Sequence, residues 1–242
     1  MSVGTIHGVG LGPGDPDLMS VRAHRLLTGA KHVAFFRKAG RTGQARKIID
    51  GLLREDVVEY PMDYPVTTEI PLTDPRYNQA LSAFYEEASA HLRALAEGGE
   101  DVVVLSEGDP FFFGSFMHIY TRVRDHVPVQ VVPAITGMAA AWTATGEPIT
   151  WGDDVLTVLM GTLNEAEMRA RMQTTDALVV MKIGRNIDKV VGALKAAGKY
   201  DDAWLVEYAS MPNQTVHKLA DVEGRVTPYF SIIIVHGQGR RP

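Results

Sequence analysis

The sequence contains no cysteine and no long run of apolar residues. The absence of cysteine excludes disulfide bridges, thiolate nucleophiles and cysteine-ligated zinc or iron–sulfur sites, and it is typical of proteins in a reducing compartment. No stretch approaches the roughly 18 apolar residues of a membrane-spanning helix, and residues 1–10 lack the charged and then apolar pattern of a signal peptide. We therefore expect a soluble, cytoplasmic protein that does not act at a membrane, and we predict no metal site.

Basic residues are fewer than acidic ones, and the formal charge of −5 argues against a general nucleic-acid-binding surface. Their distribution is uneven, because nine of them fall within residues 22–54, where Asp50 is the only acid. Most of these nine have the spacing of solvated helix faces. Arg37, Lys38 and Arg41 instead follow an apparent strand, where ligand-binding groups are common. Both an anionic ligand and an ordinary solvated surface are consistent with this pattern.

Hydrophobic residues make up 45% of the chain and charged residues 22%, as in globular proteins with a packed core. In the first half, short runs rich in Val, Ile and Leu alternate with segments of helical period, which predicts βαβ units and a mainly parallel sheet. The predicted strands are 4–10, 33–36, 57–60, 102–105 and 129–132, and the predicted helices are 17–28, 43–53, 78–97 and 114–124, with a further helix from about 136. We interpret residues 61–75, which are rich in proline, as an irregular excursion.

The segment 146–153 combines a helix stop, a proline and a new start, so we predict two domains, 1–146 and 147–242. In the second domain, strands 155–160, 177–181 and 204–208 alternate with helices 164–172 and 187–197, whereas 215–219 and 229–235 are extended runs with no helix between them. The second sheet is therefore predicted to be mixed. The fold class that we predict is α/β, with two αβα domains.

Three loops that follow predicted strands of the first domain carry glycines and other small residues, at 8–16, 106–115 and 132–138. Such loops form a crevice when their strands are neighbours in a parallel sheet. The first loop does not match the dinucleotide-binding pattern G-x-G-x-x-G, whose last glycine would fall on Pro13 or Asp15. The second contains three consecutive phenylalanines, which cannot all face one core and are available to a loop, a flat ligand or a partner subunit.

In their order along the chain these motifs resemble those of the tetrapyrrole methylase family, which transfers methyl groups from S-adenosylmethionine (SAM). The matching segments are Gly10–Pro16, Gly108–Gly114, Val131–Thr136, Gly146–Thr150, Leu159–Gly161 and Val206–Tyr208. The resemblance covers nearly the whole chain. It implies two αβα domains with the active-site cleft between them, a homodimer, and SAM as the cofactor.

The resemblance also implies which residues contact SAM. These are Pro13, Glu107, Gly108, Asp109, Phe112, Thr136, Gly137, Met160 and Ala209. Gly137 and Ala209 depart from the family, where alanine and glycine respectively are common, but both residues are small enough for close approach of a ligand. A methionine at a strand end, such as Met160, is also a common core residue.

Within the family, four stretches favour the branch that methylates C20 of precorrin-2 in cobalamin biosynthesis, namely 106–116, 181–186, 207–213 and 228–231. Ser115 and His118 stand where the uroporphyrinogen-III branch has arginine and glutamate, which does not favour that activity. The alternatives are methylation of cobalt-precorrin-2 or of uroporphyrinogen III, another branch such as diphthine synthase, and a non-catalytic tetrapyrrole-binding module.

A substrate of this kind bears eight carboxylates, which the basic residues at strand ends could bind. Arginine binds carboxylates through two parallel hydrogen bonds. We therefore predict that Arg37, Lys38 and Arg41 bind the substrate. Lys182 and Arg185, which follow the strand 177–181, are further candidates, with capping of that loop as the alternative role.

Methylation of a ring carbon requires that a proton leave the ring. The candidate acceptors are His118, Glu107 and Tyr208, of which we favour His118 because the ordinary pKa of histidine lies near neutral pH. The alternative is that His118 lies on a solvated or subunit-facing helix surface and that water accepts the proton.

Overall fold

The computed structural model describes residues 2–66 and 74–241, and the chain forms two compact units, Met1–Thr136 and Gly137–Pro242. The strands of the first unit are β1 Ile6–Gly10, β2 His32–Lys38, β3 Val58–Tyr64, β4 Val102–Ser106 and β5 Val129–Val132. Its helices are α1 Val21–Gly29, α2 Gln44–Ile48, α3 Pro75–Glu97 and α4 Phe116–Val123. The described strands form one sheet in the order β3-β2-β4-β1-β5, and every pair in it is parallel.

Alternating side chains of these strands enter two separate cores, which is why the strands are apolar on both faces. One core, with α3 and α4, contains Ile6, Ala34, Val104, Leu92 and Phe116. The other, with α1 and α2, contains Val9, Val33, Leu105, Leu27 and Ile48. Helix α1 begins where the Ser20 hydroxyl accepts the Ala23 N–H at 3.1 Å, and α3 begins with proline after the Asp74 cap, both common helix starts.

Strands β2 and β3 are longer than predicted. Arg37 and Lys38 were placed in a loop, but they pair in register with Asp63 and Tyr64 and are the last residues of β2. The first part of the predicted excursion, Pro61–Tyr64, is likewise strand. Proline is tolerated there because β3 is an edge strand of the described sheet, where one side needs no hydrogen-bond donor. Residues 67–73 of that excursion lie outside the described residues.

The second unit contains the strands β6 Leu156–Met160, β7 Ala177–Met181, β8 Trp204–Glu207, β9 Thr215–Lys218 and β10 Ser231–Val235. Its helices are α5 Gly137–Ala144, α6 Glu165–Gln173 and α7 Ile187–Ala196. The order of the described strands is β6-β7-β10-β8-β9, with β6 parallel to β7 and the other pairs antiparallel. The predicted fold class, α/β with a parallel sheet and a mixed sheet, is confirmed.

Helix α5 belongs to the second unit, although the sequence placed it before the domain boundary at 146–147. Its Ala141 is fully buried with Val179, Val206 and Ile234, which come from β7, β8 and β10. The described chain contains no helix that combines the length and apolar character needed to cross a membrane.

Candidate functional site

Three loops leave one edge of the first sheet, because β4, β1 and β5 are adjacent and parallel. We call them the first loop (residues 11–15, after β1), the second loop (107–115, after β4) and the third loop (133–136, after β5). The carboxyl edge of a parallel sheet is where α/β proteins bind ligands. The prediction that these loops share an edge is confirmed by the strand order.

Backbone hydrogen bonds join the first loop to the second. The Leu11 N–H donates to the carbonyl of Ser106 at 3.0 Å, and the Gly108 N–H donates to the carbonyl of Gly12 at 2.8 Å. Gly12 and Gly108 have φ angles of 83° and 63°, a region that favours glycine. The glycines therefore allow two loops to approach backbone to backbone.

Asp109 joins the second loop to the third. Its Oδ2 accepts the N–H of Ala134 at 3.0 Å, and its Oδ1 accepts the N–H of Phe111 at 2.9 Å. Both oxygens of the carboxylate are thus used in holding the loops. Contact between Asp109 and a cofactor stays a prediction, and the contacts that the structure shows are structural ones.

Gly10, the last residue of β1, lies beneath the second and third loops. A Cβ built on Gly10 would come within 2.6 Å of Ala134 Cβ, 2.7 Å of the Gly108 carbonyl oxygen and 2.9 Å of Pro110 Cδ. Such distances are far shorter than ordinary van der Waals contact. Only glycine fits where the second and third loops meet over β1.

Of the residues predicted to contact the cofactor, six lie in the three loops: Pro13, Glu107, Gly108, Asp109, Phe112 and Thr136. The other three are in the second unit. Gly137 begins α5 and Met160 ends β6. Ala209 is buried and follows Tyr208, which has a φ of 53° at the end of β8. The roles of these residues stay predictions.

The Glu107 carboxyl of the second loop has a strongly displaced pKa. It is exposed, yet desolvation by the surrounding protein raises the pKa of Glu107 to about 7, against the opposing effect of the Ala45 N–H. Partial burial disfavours the charged form of a carboxyl. Its Oε1 accepts the Ala45 N–H at 3.1 Å.

His118 is not part of the three loops but follows the second loop by three residues, and its role as proton acceptor stays a prediction. It is in the first turn of α4, and its ring stacks on Tyr85 of α3 with 4.5 Å between centroids. Tyr208 is in the second unit, where its N–H donates to the carbonyl of Phe230 at 2.8 Å. Among the three candidates, Glu107 alone lies in the loops.

The predicted substrate-binding cations differ in their surroundings. Arg37 Nε donates to Asp63 Oδ1 at 2.6 Å, so its charge is already paired. Arg41 is exposed in the turn between β2 and α2, and it forms no ion pair with any residue in 2–66 or 74–241. Lys182 and Arg185 are exposed after β7 in the second unit. Arg41 is therefore better suited than Arg37 to bind an anionic ligand.

Sequence reasoning missed a group of hydroxyls on the α3–α4 side of the first sheet. The Tyr64 and Ser115 hydroxyls are hydrogen-bonded to each other, and the buried Tyr85 hydroxyl interacts with both. Tyr64 also stacks on Phe36, with 5.6 Å between ring centroids. Little signal was available in the sequence, because Pro61 ends the predicted strand 57–60 and leaves Tyr64 in the irregular segment.

A parallel sheet with three interlocked loops at its carboxyl edge defines the first unit as a ligand-binding α/β domain. A family model described as tetrapyrrole (corrin/porphyrin) methylases matches residues 5–223 of the chain. The chain belongs to this family, and the family predicted from the ordered motifs is confirmed.

Individual relatives agree with this result. The chain is 45% identical to a precorrin-2 C(20)-methyltransferase of a Sinorhizobium species, over 100% of this chain and 99% of that protein. It is 28% identical to the cobalt-precorrin-2 C(20)-methyltransferase of Salmonella typhimurium, over 97% of each chain. A solved uroporphyrin-III C-methyltransferase from Thermus thermophilus, complexed with S-adenosylhomocysteine, matches the fold with a TM-score of 0.67 at 23% identity, covering 96% of this chain and 97% of that one.

Proposed function

We propose that this protein is a SAM-dependent methyltransferase that methylates C20 of precorrin-2 in cobalamin biosynthesis. The observation that carries the proposal is the 45% identity, over essentially the full length of both chains, to a precorrin-2 C(20)-methyltransferase. The lower identity of 28% to the enzyme that acts on cobalt-precorrin-2 favours the metal-free substrate. A cytoplasmic location and a homodimer stay predictions from the sequence.

The three loops fit the cofactor that the family implies. Gly12 and Gly108 expose backbone where a side chain would otherwise stand, and the Gly10 contacts leave no room for a Cβ beneath them. Backbone N–H and carbonyl groups on such loops suit a nucleoside, which presents donors and acceptors along its edges. We propose that Pro13, Glu107, Gly108, Phe112 and Thr136 hold SAM in the first unit, while Asp109 keeps the loops joined.

When bound, SAM supplies an electrophilic methyl group. The ring carbon that receives it is already enamine-like, so the main task of the protein is orientation, which can contribute roughly 7–11 kcal/mol. No strong base is required for such a carbon, and water is a sufficient acceptor for the proton.

The direct test is an assay of the purified protein with SAM and precorrin-2. We expect a product that carries one additional methyl group, which NMR of the isolated tetrapyrrole places at C20. Cobalt-precorrin-2 and uroporphyrinogen III serve as comparison substrates and should react more slowly. Methylation of uroporphyrinogen III in preference to precorrin-2 would assign the chain to another branch of the family.

A non-catalytic tetrapyrrole-binding module would bind the substrate and not SAM. S-adenosylhomocysteine at about 100 times its Kd is expected to stabilise an enzyme of this family by about 2.7 kcal/mol, because it binds the native state only. Thermal unfolding with and without the nucleoside measures this. An unchanged melting temperature at millimolar nucleoside would favour the binding module.

Arg41 and Arg37 make a matched pair of variants for the substrate site. Arg41→Gln is expected to raise the KM for the tetrapyrrole about two- to fivefold with kcat nearly unchanged, because an exposed ion pair contributes up to about 1 kcal/mol. Arg37→Gln should change this KM less, since Asp63 already binds the Arg37 guanidinium. Initial rates at saturating SAM measure both. A larger effect at Arg37 would mean that substrate displaces Asp63 and that Arg41 is a solvated surface residue.

A further inference from the structure

Helix α2 begins without a capping side chain of its own. Its N-cap residue is Gly43, which makes no side-chain hydrogen bond. The N–H of Ala45 in its first turn donates instead to Glu107 Oε1 at 3.1 Å, from a residue 62 positions further along the chain. A carboxyl oxygen satisfies such an unpaired N–H. The second loop thus supplies the cap that the sequence next to α2 lacks.

This contact fixes one end of the segment that carries Arg41. The segment 39–43 leaves β2, turns with the Arg41 N–H donating to the carbonyl of Lys38 at 2.9 Å, and enters α2. Gly43 is packed so closely on β2 that an added Cβ would lie 2.4 Å from the Phe36 carbonyl oxygen. Between the fixed end of β2 and the start of α2, the position of Arg41 depends on where α2 is held.

The other side of the contact is the ligand-binding edge. Glu107 immediately precedes Gly108, whose N–H is bonded to the first loop. It also directly follows β4, so its backbone is fixed at the edge of the sheet. The same residue therefore contacts two parts of the proposed site: the loops assigned to the cofactor and the helix that positions Arg41.

We propose that Glu107 is a positioning residue that couples the two substrates: by holding the start of α2, it places Arg41 to bind the carboxylates of the tetrapyrrole when the loops are occupied by the cofactor. The inference rests on the proposed function. It adds that bound nucleoside increases the affinity of the site for the anionic tetrapyrrole. Coupling of this kind is reciprocal. Desolvation raises the pKa of Glu107 to about 7, and the Ala45 N–H opposes this shift.

The test uses uroporphyrin, a stable fluorescent tetrapyrrole with eight carboxylates, and S-adenosylhomocysteine as probes on the full chain. In the unchanged protein we expect the nucleoside to lower the Kd for uroporphyrin by roughly fivefold or more. Glu107→Ala is expected to abolish this coupling even at saturating nucleoside. Without nucleoside it should raise the Kd for uroporphyrin by no more than about fivefold, the effect expected for loss of the exposed Arg41 ion pair itself. Glu107→Gln, which keeps a carbonyl acceptor, should restore part of the coupling.

Hydrogen exchange of the peptide that contains residues 43–48 reports on the contact directly. Exchange there should be faster in Glu107→Ala than in the unchanged protein. Glu86→Gln is the control, because Glu86 pairs with Arg122 on the exposed α3–α4 surface and touches neither α2 nor the loops; it should change neither exchange nor coupling.

Three results would overturn the inference: unchanged exchange at 43–48, coupling that survives in Glu107→Ala, or a fall in kcat at saturating substrates with the KM for the tetrapyrrole unchanged. The last would make Glu107 a proton acceptor. If Glu107→Ala does not fold, Arg41→Gln tests the same coupling, because loss of the positioned cation should abolish it too. Because binding and exchange need no turnover, a protein that shows the coupling but does not methylate precorrin-2 would contradict the proposed function and not the coupling.

Discussion

Gly10→Ala is expected to lower the affinity for S-adenosylhomocysteine by at least tenfold and to destabilise the fold by about 1–3 kcal/mol, as other overpacked cores do. The added methyl would lie 2.6–2.9 Å from atoms of Ala134, Gly108 and Pro110. Two of those contacts involve a backbone carbonyl and a proline ring, which cannot rotate away. The second and third loops must therefore separate, and the surface that they form with the first loop is lost. Calorimetric titration and denaturant unfolding measure the two effects.

Gly29→Ala is the matched control for that variant. Gly29 is the last residue of α1, and an added Cβ there meets nothing within 4 Å. Alanine should stabilise the helix by up to about 1 kcal/mol and leave the Kd for the nucleoside unchanged. If Gly10→Ala bound S-adenosylhomocysteine as tightly as Gly29→Ala does, the meeting of loops over β1 would not shape the cofactor site.

The strands of the first sheet were predictable because burial on both faces leaves a clear mark. In β4 and β1 every residue is buried, and in β4 the sequence shows this burial as the uninterrupted apolar run 102–105. Parallel order then places the ends of such strands at one edge. For this reason the three loops of the candidate site could be predicted from the sequence before any contact was known.

Contacts between distant parts of the chain could not be predicted in this way. The end of β2 depends on its register with β3, which pairs Arg37 with Asp63. The cap that Glu107 gives to α2 joins residues 62 positions apart, and neither sequence segment shows a signal of its own. Helix α5 is uncharged along its whole length, so its pattern does not say which sheet it covers.

Arg225→Met is expected to cost about 3 kcal/mol of stability in the second unit, because it leaves a buried carboxylate without its cation. Glu207 is only 1% exposed, and its Oε2 accepts hydrogen bonds from Arg225 Nη2 at 2.7 Å and from Thr215 Oγ1 at 2.8 Å. Its Oε1 is buried with no hydrogen-bond partner in the described structure. Urea unfolding of the variant measures the loss of stability.

Glu207→Gln should cost less than Arg225→Met, because an amide keeps the side-chain volume and removes the buried charge together with its need for a partner. The side chain of Arg225 is 44% exposed, so water can solvate the arginine that Glu207→Gln leaves behind, whereas it cannot reach the carboxylate that Arg225→Met leaves behind. The double variant should therefore lie close to Glu207→Gln and well below the sum of the two single effects. Equal losses from the two single variants, adding fully in the double, would show that the pair makes no net interaction and that Glu207 tolerates burial alone.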